Sequence, residues 1–97
     1  MTQRSISILG ATGSIGASTL DLIRREKDKW KVVALTAHSN AAELAKLARE
    51  FSAEIAVVSD ESRLPELKEA LFGSQVESAG GQAALTQAAA RPADVVI

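Results

Sequence analysis

Ile6-Ser7-Ile8-Leu9-Gly10-Ala11-Thr12-Gly13-Ser14-Ile15-Gly16 decides how this chain folds. A short apolar strand runs straight into three glycines spaced three apart, and a helix-like pattern follows at once. A strand, a glycine turn and a helix in that order lay a dinucleotide's pyrophosphate on the N-terminus of the helix, where backbone N–H groups are free and the helix dipole favours an anion. In this reading Gly10 permits the tight turn, Gly13 lets the backbone approach a phosphate, and Gly16 lets the helix pack closely. Thr12 and Ser14 add hydroxyls that can hydrogen-bond phosphate oxygens. Ser14 can equally serve as an ordinary N-cap of the helix, or do both.

Outward from this motif, strands and helices alternate. Residues 4–9 read as a first strand and 14–27 as a helix with Ile15, Thr19, Leu22, Ile23 and Glu26 on its inner face. Residues 31–36 form a second strand, apolar almost throughout, as expected where both faces are covered. Asn40 opens the next helix, with Glu43 at the third position of a capping box and Leu44, Leu47, Ala48 and Phe51 as its stripe. Residues 55–58 form a third strand. Asp60 or Ser62 caps a third helix that tolerates Pro65 in its first turn, turns Leu64, Leu67 and Leu71 inward and ends at Gly73. A short strand is expected around Val76, then a break at Gly80-Gly81. An alanine-rich helix from Gln82 follows, with Leu85, Ala88 and Ala89 inward, stopped by Pro92. The fold class is therefore α/β, a Rossmann-like parallel sheet with right-handed crossovers and helices on both faces. Asp94-Val95-Val96-Ile97 reads as the start of a buried strand, so the expectation is a sheet truncated at its C-terminal end. Residues 1–97 would be an incomplete N-terminal dinucleotide-binding domain of a longer protein.

Composition narrows the classes. At 97 residues and net charge −1, with charges of both signs interleaved, the chain offers no basic patch for nucleic acid. It has no cysteine, which excludes a disulfide framework, a thiolate metal site or a Cys nucleophile in these residues and is compatible with a reducing cytoplasmic location. No apolar run approaches the ~20 residues of a membrane span. Aromatics are few, Trp30, Phe51 and Phe72, so alanine and short aliphatics must do the packing.

The end of the second strand bears on which dinucleotide is bound. NAD-specific folds place an Asp or Glu there to hold the ribose 2′-OH. Here Leu35-Thr36-Ala37-His38-Ser39-Asn40 carries no carboxylate. Ser39 and Asn40 can donate hydrogen bonds, and His38 adds charge when protonated. This loop favours NADP over NAD. The plain alternative leaves Asn40 as a helix cap and His38 as a solvated loop residue.

Gly10-Ala11-Thr12-Gly13-Ser14-Ile15-Gly16 followed by Ser18-Thr19-Leu20-Asp21 resembles the opening of the 1-deoxy-D-xylulose 5-phosphate reductoisomerase family. Val32 to Asn40 is similar to its second strand and ribose-phosphate loop, and Gly80-Gly81-Gln82-Ala83-Ala84 fits a later segment. The resemblance covers the whole chain but only about a quarter of a full-length member. It implies an oxidoreductase that uses NADPH and a divalent metal, magnesium or manganese. That enzyme isomerises and reduces 1-deoxy-D-xylulose 5-phosphate to 2-C-methyl-D-erythritol 4-phosphate in non-mevalonate isoprenoid synthesis. It implies a phosphosugar substrate and a homodimeric parent. Thr12, Gly13, Ser14 and Ile15 would meet the cofactor's phosphates, flanked by Gly10 and Gly16, and Ala37, His38, Ser39 and Asn40 its adenosine-ribose phosphate. Where many members carry Gly and a basic residue before the Asn, this chain has His38 and Ser39. Catalytic, metal-binding and substrate-binding residues would lie beyond residue 97, so this chain alone should not turn over substrate. Asp21, Asp60, Glu61 and Asp94 are explained by solvation or capping.

Two other readings stay open at this point. A semialdehyde dehydrogenase also opens its first loop with Gly-Ala-Thr-Gly but needs a Cys nucleophile in later sequence. A non-enzymatic NADP-sensing module would continue without metal ligands or a catalytic base.

Overall fold

The second strand is the spine of the molecule. It runs Trp30–Ala37 (β2), and every residue from Val32 to Ala37 is buried, as its apolar run requires. The computed structural model describes residues 3–97. Around β2 lie β1 (Arg4–Ile8), α1 (Ser14–Arg25), α2 (Ala41–Phe51), β3 (Ile55–Val58), α3 (Leu64–Ala70), β4 (Glu77–Gly80), α4 (Gln82–Ala90) and β5 (Val95–Val96). The strands form one sheet in the order β4-β3-β2-β1-β5, with every neighbouring pair parallel.

That order explains where the helices sit. From β1 to β4 the chain steps steadily towards one edge, and right-handed crossovers place α1, α2 and α3 on a single face. Leu20, Ile23, Leu44, Leu47, Leu67 and Leu71 accordingly share one core with Ile6, Ile8, Leu35 and Val58. The connection from β4 to β5 runs the other way, so the same handedness puts α4 on the opposite face. There Leu85 and Ala88 pack with Val33, Ala34, Ile55 and Val57. The expected α/β class, parallel sheet and helices on both faces are what the structure has. No helix among the described residues is long and apolar enough to cross a membrane.

The reversal creates the feature that positions the site. The chain leaves β1 towards β2 but returns, through β5, to β1's other side. In open α/β sheets ligands bind at this switch point, outside the C-terminal ends of the strands. The glycine turn leaves β1 at that place.

Several local expectations need correction. The inner face of α1 is Gly16, Leu20 and Ile23, whereas Ile15 and Leu22 are 73% and 65% exposed. The phase of this helix is set by the close approach of Gly16 to the preceding turn rather than by its most apolar residues. The helix also stops at Arg25, and a 3₁₀ turn at Lys27–Lys29 leads into β2. The strand expected around Val76 begins at Glu77 and takes in Gly80, so the break falls at Gly81, with φ +96°. Asp60 caps not α3 but a 3₁₀ turn, Glu61–Arg63, by accepting from the Ser62 N–H at 3.1 Å. Asp94 clamps β5 to β1: its carboxylate accepts from the Ser5 N–H at 2.8 Å, and its own N–H donates to Ser5 Oγ at 2.9 Å. The Asn40 cap is as expected, its Oδ1 accepting from the Glu43 N–H at 3.2 Å.

The β1–β2 register slips by one residue, from Ile6 opposite Val32 to Ser7 opposite Ala34. The slip is a bulge in β2 at Val33, and it turns both Val33 and Ala34 towards α4.

Candidate functional site

Thr36, near the end of β2, ties the glycine turn down. Its Oγ1 accepts from the Gly10 N–H at 2.9 Å and its carbonyl from the Ala11 N–H at 2.7 Å. Gly10 sits at φ +81°, where a side chain is strained. The turn closes through the Gly13 N–H on the Gly10 carbonyl at 3.1 Å, and the Gly13 carbonyl then accepts the first bond of α1, from the Ala17 N–H at 2.9 Å.

Gly13 is therefore the N-cap of α1, and it offers no side-chain cap. Ser14, the alternative cap, lies one position inside the helix. The first N–H groups of a helix have no partner within it. Here no side chain caps them and no acidic residue stands in the first turn. The result is an uncapped, positively polarised helix end facing solvent, suited to an anion.

The three glycines do different jobs. A Cβ on Gly16 would lie 2.5 Å from the Gly10 carbonyl oxygen and 2.7 Å from Ala11 Cα, so only glycine fits between helix and turn. A Cβ on Gly13 would meet only the Gly10 oxygen, at 3.4 Å, an ordinary contact. The fold needs Gly16, while the space above Gly13 is left open.

An open cleft of about 360 Å³ lies over this helix end, lined by Leu9, Gly10, Gly13, Ser14, Ile15, Gly16 and Ile97. The exposure of Leu9, Ile15 and Ile97 makes its rim apolar. Thr12 is not part of it. That residue lines a second cleft, of about 420 Å³, between α1 and α2 with Asp21, Arg24 and Glu43. Arg24 there is already committed: its guanidinium pairs with Glu50 through Nε and through Nη2 at 3.0 Å, and with Asp21 at 3.4 Å. The hydrogen bond from Arg24 is the main reason the Glu50 carboxyl is held below the usual range.

The loop after β2 stands at the same C-terminal edge of the sheet, beside the glycine turn through Thr36. Ala37 is buried, and its carbonyl accepts from the Ser59 N–H at 2.9 Å, so its methyl group faces the core rather than solvent. His38 and Asn40 are exposed and Ser39 is half-buried. His38 Nδ1 lies 3.0 Å from Ser59 Oγ, and Asn40 is committed to its cap. Asp60, next to Ser59, is held ionised below the usual carboxylate range, chiefly by the hydroxyl and the N–H of Ser62. Sequence reasoning missed Thr36 and Ser59. The only local signal for either was a polar residue at the C-terminal end of a buried strand.

Among the described residues, no three His, Asp or Glu side chains gather where they could hold a metal ion.

Comparison with known proteins gives a consistent picture. The family described as 1-deoxy-D-xylulose 5-phosphate reductoisomerase matches residues 6–97. A curated relative of that name from Afipia carboxidovorans is 57% identical over 95 residues, covering 98% of this chain and 23% of the relative. One from Ruegeria sp. is 55% identical over 97 residues, covering all of this chain and 25% of the relative. Among solved structures, the Zymomonas mobilis reductoisomerase in complex with NADPH superposes with a TM-score of 0.97 at 50% identity, covering 98% of this chain and 25% of its own. A reductoisomerase in complex with magnesium matches at 0.90 and 33% identity, over 98% of this chain and 24% of its own. The chain thus spans about a quarter of the length of the curated relatives it matches.

Proposed function

The chain belongs to the 1-deoxy-D-xylulose 5-phosphate reductoisomerase family, and from that premise we propose that residues 1–97 are an incomplete N-terminal NADPH-binding domain. The membership sets aside the semialdehyde dehydrogenase reading. In the proposal Gly10, Gly13, Ser14, Ile15 and Gly16 form the pyrophosphate cradle, with Thr12 at its flank. His38, Ser39 and Asn40, on the backbone set by Ala37, receive the adenosine-ribose phosphate.

The observation that carries this reading is the uncapped N-terminus of α1 beneath an unfilled space at Gly13. First-turn N–H groups would donate to phosphate oxygens, the Ser14 hydroxyl would add a further donor, and the apolar rim at Leu9 and Ile15 would exclude water from one side. NADPH, when bound, supplies the hydride for a reduction. The residues of this chain bind and orient it.

The activity of the whole protein follows as part of the proposal: isomerisation and reduction of 1-deoxy-D-xylulose 5-phosphate to 2-C-methyl-D-erythritol 4-phosphate in isoprenoid synthesis. Support comes from relatives that bear this enzyme's name and from a solved one in complex with NADPH, fosmidomycin and magnesium. A divalent metal, magnesium or manganese, a homodimeric parent and a cytoplasmic location belong to the same proposal, with the metal ligands supplied by residues outside this chain.

The expected discrimination is testable. With no carboxylate from Leu35 to Asn40, NADPH is expected to bind at least about tenfold more tightly than NADH, the worth of roughly one charge-assisted hydrogen bond. Fluorescence titration with each nucleotide measures it. Equal dissociation constants would refute the assignment of the His38 loop.

A further inference from the structure

Ser59, at the end of β3, belongs to no motif in the sequence, yet it meets His38 twice. Its Oγ lies 3.0 Å from His38 Nδ1 and 3.3 Å from the His38 carbonyl oxygen, to which it can donate. The backbone holds the two residues in register: the Ser59 N–H donates to the Ala37 carbonyl at 2.9 Å and the Asp60 N–H to the His38 carbonyl at 2.8 Å. The imidazole is thus anchored through Nδ1, which leaves Nε2 as its free nitrogen.

A hydroxyl has one proton, so the two contacts constrain the ring. When Ser59 donates to the His38 carbonyl, its oxygen accepts from Nδ1–H. A neutral ring in that arrangement presents a bare Nε2 lone pair, which repels an anion. A doubly protonated ring keeps both Ser59 contacts and presents Nε2–H with a full positive charge. The alternative, a neutral ring with Nε2–H, forces Ser59 to abandon the carbonyl and donate to Nδ1.

We propose that Ser59 is a positioning residue that makes His38 a proton-dependent receptor for the cofactor's 2′-phosphate, the imidazolium replacing the fixed basic residue that this loop lacks. The inference rests on the reading of the His38 loop given above and deepens it. The charged groups on the neighbouring segments are Asp60, Glu61 and Arg63 after β3 and Glu43 in the first turn of α2. Asp60 is an ionised carboxylate whose charge interacts with His38 and with Arg63.

The sign of the pH dependence follows. On this proposal, affinity for the 2′-phosphate falls between pH ~6 and pH ~8, since only the doubly protonated ring presents a charged donor. The phosphate's own second ionisation, near pH ~6, makes it more anionic over the same range and works in the opposite direction. A loss of 2′-phosphate affinity on raising the pH must therefore come from the protein.

His38 is the single histidine of the chain, so its ring gives one set of imidazole signals. The experiment titrates the chain with adenosine 2′,5′-bisphosphate and with adenosine 5′-monophosphate, following ¹⁵N-labelled imidazole by NMR and binding by calorimetry. The bisphosphate is expected to drive the ring to its doubly protonated form near pH ~7, while the monophosphate leaves it unchanged. The preference for the bisphosphate should fall about tenfold between pH ~6 and pH ~8. Ser59→Ala should reduce the preference at the lower pH by about fivefold to tenfold and Ser59→Thr should retain it. If the bisphosphate binds better but the ring stays neutral, or if Ser59→Ala keeps the full pH-dependent preference, the His38–Ser59 proposal is overturned and the NADPH reading stands. If neither nucleotide binds, or both bind equally at every pH, the reading of this loop fails and takes the proposal with it.

Discussion

Gly13→Val is expected to abolish NADPH binding while the protein stays folded. Gly13 has φ −82° and ψ 175°, extended backbone that suits valine, and a Cβ there meets only the Gly10 oxygen at 3.4 Å. The cost to the fold is limited to replacing glycine by a poor N-cap residue, about 1 kcal/mol. The branched methyls, however, would occupy the space over the first-turn N–H groups, where a phosphate would sit. Losing several charge-assisted hydrogen bonds weakens binding by more than about a hundredfold. Calorimetry with NADPH, paired with a thermal melt, separates the two effects. Retained affinity in a folded Gly13→Val protein would refute the cradle.

Gly16→Ala should do the reverse and attack the fold itself. The new methyl would be driven to 2.5 Å from the Gly10 carbonyl oxygen and 2.7 Å from Ala11 Cα. Both are backbone atoms pinned by Thr36, with the Gly10 and Ala11 amides held at 2.9 Å and 2.7 Å. Relief requires α1 to shift away from the sheet, which would loosen Leu20 and Ile23, only 1% and 3% exposed in the core. The combined strain and lost packing amount to about 3 kcal/mol or more, a large share of the ~5–15 kcal/mol that holds an ordinary domain together. Urea unfolding measures it. A loss below about 1 kcal/mol would mean that the helix is not locked against the turn as described. Two glycines three residues apart, equivalent in a sequence pattern, are thus predicted to fail in opposite ways.

The alternation of strand and helix was readable because the elements carry local signals, such as apolar continuity in 31–36 and 55–58 and a capping pattern at Asn40 and Glu43, whereas α3 ends at Ala70, short of the expected stop at Gly73. The sheet class followed from the alternation and the handedness of crossovers. The inner face of α1 was not readable. Ile15 and Leu22 are apolar and fall at helical spacing, but the helix is rotated by the contact of Gly16 with the turn, a steric fact that hydrophobic counting does not contain. Ile15 is instead left exposed beside the cleft. The candidate site divides in the same way. Gly10, Gly13 and Gly16 announce themselves through spacing after a strand, whereas Ser59 meets His38 only because β3 pairs with β2 in a particular register. Thr36 anchors the turn from 26 residues away, and no local pattern links it to Gly10. Asp94 has the same character, a carboxylate that looked like solvated chain and proves to join β5 to β1.

The central claim is that the bare N-terminus of α1 receives the cofactor's phosphates. Amide NMR of the ¹⁵N-labelled chain during NADPH titration tests it most directly, since each first-turn N–H reports its own environment. The largest shifts are predicted at Gly13, Ser14, Ile15 and Gly16, with a second group at His38 and Ser39. Shifts confined to the groove of Asp21, Arg24 and Glu43, or no shift in the first turn of α1 with NADPH bound, would contradict it.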